Sequence, residues 1–140
     1  MKRSALLAVA AIFLATSAVA AATMTVQQEM KALVEPASNT VFALGGDVDP
    51  ANGPDAAKVP EARWQQGMLA AEALQTVAAD LNGSQRKPGS EWDAAAKDFA
   101  RLAADAQKAA LKKDGAAFST AANALADTCT ACHTKYKPKS

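Results

Sequence analysis

The sequence predicts an all-α protein, an antiparallel four-helix bundle, on three observations. Beyond residue 25 the apolar residues recur every three or four positions in four separate stretches, the pattern of amphipathic helices. Clusters of Gly, Pro, Asp and Asn divide those stretches, and such clusters stop helices and make turns. No stretch alternates apolar and polar residues as a half-buried strand does. Four helices of this kind bury their apolar stripes against one another, up-down-up-down unless the longest loop crosses over.

The chain opens with Lys2-Arg3, runs uncharged from Ala5 to Ala22, and carries the small-x-small triplet Ala18-Val19-Ala20. A basic start, a short apolar run and small residues at the exit make a secretory signal peptide. Residues 1–22 are therefore expected to be removed, with cleavage after Ala20 or Ala22, leaving 23–140 as a single mature domain. The run is too short and Ala-rich for a spanning helix. No Cys follows it that could carry a lipid anchor, so the expected location is the periplasm. Loss of Lys2 and Arg3 lowers the formal charge from +1 by two, to −1, with the remaining charges scattered. No basic stripe points to nucleic acid.

The first helix is expected from about Val26 to Leu44, with Val26, Met30, Leu33, Ala37, Val41 and Leu44 on one face. Pro36 lies inside it and predicts a kink or short break near Glu35, because proline lacks a backbone donor and clashes one turn back. Gly45-Gly46 is expected to stop it. The connection to Pro60 is rich in Gly, Pro and Asp. Asp47 and Asp49 resemble the start of a calcium loop, but Ala51 and Asn52 occupy ligand and Gly positions and no closing Glu follows. That connection is read as a solvated turn-rich loop. The second helix carries Trp64, Met68, Ala71, Leu74, Ala78 and Leu81 and ends at Asn82-Gly83. Beyond the turn from Ser84 to Gly89, Ser90 with Asp93 reads as a capped start of the third, which carries Trp92, Ala96, Phe99, Ala103, Ala106 and Ala110. Asp114 caps the fourth, whose seam is Phe118, Ala122, Leu125, Cys129, Cys132 and Tyr136. Both cysteines thus fall on a core-facing stripe.

The mature chain has only Phe42, Phe99, Phe118, Trp64, Trp92 and Tyr136 as aromatics and is crowded with Ala. Ala favours helix but buries little area, so a large apolar group in the middle of the bundle would help it pack. The stretch Cys129-Thr130-Ala131-Cys132-His133 supplies a candidate. On a helix, Cys129, Cys132 and His133 lie within an arc of roughly 100 degrees. Two thiols three residues apart, followed at once by an imidazole, form the c-type haem attachment pattern. Cys129 and Cys132 are then the thioether positions and His133 the proximal iron ligand. A thioredoxin-like dithiol belongs at a helix start in a βαβ setting, and this stretch ends a helix. A structural zinc site wants four ligands, whereas the chain holds two cysteines and one histidine. A simple disulfide suits an oxidising compartment, but it would close a tiny loop within one helical turn.

With its signal peptide, four helices and C-x-x-C-H-x-x-Y from Cys129 to Tyr136, the chain resembles the class II c-type cytochromes, the cytochrome c′ superfamily of bacterial periplasmic haem proteins. Lys137 stands where members often carry Arg, a change that loses a bidentate donor. The resemblance implies one covalent haem c, with the first helix covering its distal face. It also implies two branches: one presents a Met there and carries electrons, and the other presents an apolar residue and binds small gases such as nitric oxide or carbon monoxide.

Met30 is the candidate distal ligand, because it lies on the first helix's seam, whereas Met24 is terminal and Met68 is on the second helix. The competing reading is that Met30 fills a gap in the core. Met with His is an established axial pair, so the expected function is one-electron transfer with periplasmic redox partners rather than catalysis. Homodimerisation, known in the family, is left open. Trp64 and Trp92 are read as core plugs, and Tyr136 as either a haem contact or helix-end packing.

Overall fold

The computed structural model describes residues 24–53, 55–83 and 88–137. The expected signal peptide and its cleavage site, and most of the turn before Gly89, lie outside the described residues. Those described are all-helical. The segments α1 (Val26–Glu29), a π-helical turn (Met30–Val34) and α2 (Glu35–Asp47) are continuous and form one long helix. They are followed by α3 (Glu61–Leu81), α4 (Ser90–Lys112) and α5 (Gly115–Tyr136).

Four long helices pack in a ring, each against its neighbour in sequence and α2 also against α5. Contacts between their ends set the directions. Asp47 at the end of α2 pairs with Arg63 at the start of α3 at 3.0 Å. Trp92, at the start of α4, donates its indole N–H to the Leu81 carbonyl that ends α3. Lys113 beyond α4 pairs with Glu61 at the start of α3. Successive helices therefore run in opposite directions, and the long loop joins neighbours without crossing over. Two short 3-10 turns, Pro50–Asn52 and Ala56–Lys58, occupy that loop. Asp49 and Asp55 start them by accepting from the N–H groups of Ala51 and Ala57 at 2.9 and 3.1 Å. The Asp49 carboxylate thus caps a turn.

The local signals act as physical chemistry requires, with four corrections. Thr25 caps α1 through a reciprocal capping box with Gln28, and Asp114 caps α5 by accepting from Ala117 N–H at 3.0 Å. The irregularity expected near Glu35 is present, but as a π turn rather than a gap in the helix. The chain widens into that turn just before Pro36, and the Glu35 N–H reaches back five residues to the Met30 carbonyl. An extra residue in one turn rotates the face, so Val34 is buried and Leu33, expected in the core, is 45% exposed. Gly45-Gly46 does not stop the helix, which continues to Asp47. Lastly, Ser90 is the first helical residue rather than the cap. Gly89 holds the cap position at φ 146°, a conformation open to glycine.

One end of the assembly is solidly filled. Trp64, Phe118, Leu44, Leu74, Leu125, Val41 and Val48 are the largest fully buried side chains, with Trp64 and Phe118 edge to face at a centroid distance of 6.0 Å. Close approach here depends on missing side chains. A Cβ at Gly45 would lie 2.6 Å from Ala122 Cβ on α5, and one at Gly67 would collide with Leu44 Cδ2.

The adjacent glycines make opposite predictions. Gly45→Ala sets two helix-borne carbons in collision. It should destabilise by about 1–3 kcal/mol through overpacking, more than the ~1 kcal/mol gained in helix propensity. Nothing lies within 4 Å of a Cβ at Gly46, so Gly46→Ala should stabilise by about 0.5–1 kcal/mol. Thermal unfolding of the two variants checks both signs.

Candidate functional site

The seam of α5 outlasts the filled core. Phe118, Ala122 and Leu125 are buried, but Cys129, Cys132 and Tyr136, which continue the same stripe, are only half-buried. The helix itself does not weaken. The hydroxyls of Thr128, Thr130 and Thr134 donate to carbonyls one turn back at 2.8–3.0 Å, and the Lys137 N–H closes the last turn on the His133 carbonyl at 3.1 Å. What changes is the space facing it.

That space is a hollow with a cavity volume of about 40 Å3, open to solvent at its mouth, at the end of the assembly away from Trp64. All four long helices contribute to its wall. The first supplies Met30, α3 supplies Leu81, and α4 supplies Trp92, Ala95, Ala96 and Phe99. Thr128, Cys129, Cys132 and His133 come from α5. The four residues singled out in the sequence, Met30, Cys129, Cys132 and His133, are therefore brought to one hollow. Met68 is half-buried against the core and Met24 lies at the start of α1, and neither is part of that wall. His133 borders the hollow while remaining exposed to solvent overall.

The hollow stays open for identifiable reasons. Alanines at 95 and 96 project too little to fill it. Trp92, 7% exposed, is held against the wall by its 2.8 Å hydrogen bond to the Leu81 carbonyl. Its ring also meets Tyr136 edge to face, with centroids 5.1 Å apart and planes at 80°. Trp92 thus borders the hollow as well as plugging the core, whereas Trp64 is wholly a plug. Tyr136 packs against Trp92 near the end of α5. Thr128, Ala95 and Phe99 were not marked as site residues by periodicity. Glu29, one residue before Met30, is buried at 3% but is not part of the wall. A glutamate one residue from a seam position reads as solvated, and nothing along the chain signals otherwise.

Burial pushes the Cys129 thiol above its ordinary pKa. The neighbouring Cys132 adds to the shift, and a backbone hydrogen bond opposes it. Burial likewise raises Cys132. A catalytic dithiol needs the reverse, a thiolate favoured by a helix start or a nearby cation. Among the described residues no three His, Cys, Asp or Glu side chains converge as a metal-binding group. Neither the redox-dithiol nor the zinc alternative gains from the geometry.

Comparison with family models, with curated proteins and with solved structures finds no match.

Replacing Trp92 with Phe keeps an aromatic ring but removes the N–H that binds the Leu81 carbonyl. The expected loss is about 1–3 kcal/mol, measurable as a lower midpoint in urea unfolding, with α-helical circular dichroism unchanged before the transition.

Proposed function

We propose that this chain is an exported c-type cytochrome: an antiparallel four-helix bundle with one covalently attached haem that carries single electrons. The observation that carries the reading is the meeting of two thiols, an imidazole and a thioether on the wall of one apolar hollow. Cys129 and Cys132 would hold the haem through thioether bonds, and His133 and Met30 are the iron ligands. Bound there, the group supplies a one-electron iron couple, which the chain's own side chains do not possess.

The donor set fits that group in kind and placement. Cys129 and Cys132 are neutral thiols one helical turn apart. His133 follows directly, and Met30 comes from a different helix. The π turn has a functional meaning in this reading, because such turns are frequent at functional sites. Here the Met30 carbonyl takes the five-residue hydrogen bond, and the local widening presents Met30 to the hollow. Leu81, Trp92, Ala96 and Phe99 give the site an apolar wall, and such surroundings and Met/His ligation both bear on the reduction potential. No helix among the described residues is long and apolar enough to cross a membrane. Periplasmic redox proteins are the partners this reading implies. The gas-binding alternative uses the same hollow with Met30 withdrawn from the iron, leaving an apolar distal wall.

Expressed in a host with c-type maturation machinery, the protein should keep its haem through acid-acetone extraction. Release of all the haem would refute attachment at Cys129 and Cys132. His133→Ala should abolish the native ligation even where the thioethers form.

The distal ligand is tested by Met30→Leu, which keeps most of the side-chain volume. It should convert a low-spin spectrum to a high-spin one and admit carbon monoxide, at a stability cost under about 1.5 kcal/mol. Met68→Leu, away from the hollow, should leave the spectrum unchanged. Wild-type protein that is already high-spin and binds carbon monoxide readily would establish the gas-binding alternative instead.

A further inference from the structure

Beyond Leu125 no residue of α5 is fully buried, yet this is the stretch that carries Cys129, Cys132 and His133. Its end is packed on the core only partly, through Cys132 and Tyr136, whereas Phe118 near the start of α5 is fully buried. Two contacts to the start of α4 tie it down. Tyr136 packs edge-on against Trp92, and Lys135 pairs with Glu91 while its Nζ lies 5.8 Å from the Tyr136 ring centroid. The ion pair joins two exposed side chains and contributes little. The aromatic contact differs because its partner is fixed: Trp92 is buried and bonded through its indole N–H to the end of α3. Tyr136 is thereby tied to α4 directly and, through Trp92, to the end of α3. It also sits three residues after His133 and four after Cys132, spacings that make side chains neighbours on a helix surface.

We propose that Tyr136 is a positioning residue, which holds the last turn of α5 against Trp92 and so fixes the direction of the His133 imidazole at the hollow. Tyr136 is not part of the wall itself, so the role proposed for it runs through His133. This inference rests on the haem reading above. An edge-to-face aromatic pair is worth up to about tenfold in an equilibrium, and that is the bias toward a single imidazole orientation that Tyr136 should provide.

The test uses the holoprotein with Tyr136→Phe, Tyr136→Leu and Tyr136→Ala, read by the hyperfine-shifted proton signals of the His133 ring in the oxidised state. Wild type and Tyr136→Phe should each show one set of His133 signals at the same positions, because the ring contact survives without the hydroxyl. Tyr136→Leu keeps bulk but not the ring geometry, and it guards against an Ala variant that fails to fold. Both non-aromatic variants should retain covalent haem but show moved His133 signals or a second set, as the orientational bias falls by about tenfold. Unmoved single signals in Tyr136→Leu, or a Tyr136→Phe variant perturbed as much as the Leu variant, would overturn the positioning role while leaving the haem reading intact. Wild-type protein without covalent haem would overturn both.

Discussion

The structure depends on a mismatch of volume between the two ends of four packed helices. At one end Trp64, Phe118, Leu44 and Val48 fill the interior completely, and glycines at 45 and 67 let the helices close on them. At the other, Ala95 and Ala96 leave the middle open. Protein interiors are close-packed, and gaps larger than a water molecule forfeit dispersion contacts. The apolar hollow at this end leaves its lining short of such contacts. Met30, Cys129, Cys132 and His133 stand on its wall.

This division explains why neighbouring parts of one helix do different work. The first half of α5 is a core element located by Phe118 and Leu125. Its second half is a platform whose half-buried seam faces the hollow. The first helix divides in the same way, with Val41 and Leu44 in the filled end and Met30 at the open one. Between those regions lies the π turn that Pro36 imposes. A proline that removes one backbone hydrogen bond and crowds the preceding turn thus changes which side chains face the hollow two turns away from the filled core.

The ion pairs contribute little to this arrangement. Asp47 with Arg63, and the ladder of Asp98, Arg101, Asp105 and Lys108 along α4, are mostly exposed. Exposed pairs of this kind are worth little. Specific direction at the open end comes instead from one buried hydrogen bond, Trp92 to the Leu81 carbonyl, and from the aromatic contact built upon it.

The four helices, their order, the buried faces of α3 and α4 and the Cys129-to-His133 stretch were legible in the sequence. Apolar periodicity, capping by Asp114 and the spacing of two thiols and an imidazole are all properties of a single helix read along its own length. Tertiary structure decided what depends on two helices at once. Gly45-Gly46 looks like a helix stop until Ala122 on α5 is seen to require the missing side chain. Leu33 and Val34 each fit the period, and only the π turn selects Val34 for the interior. Tyr136 shares the seam of α5, and only the packing of the helices shows that its ring meets Trp92, itself bonded to a carbonyl on a third helix. Spacing along a helix determines which residues share a face, but the neighbouring helix determines whether that face meets a side chain or an open hollow.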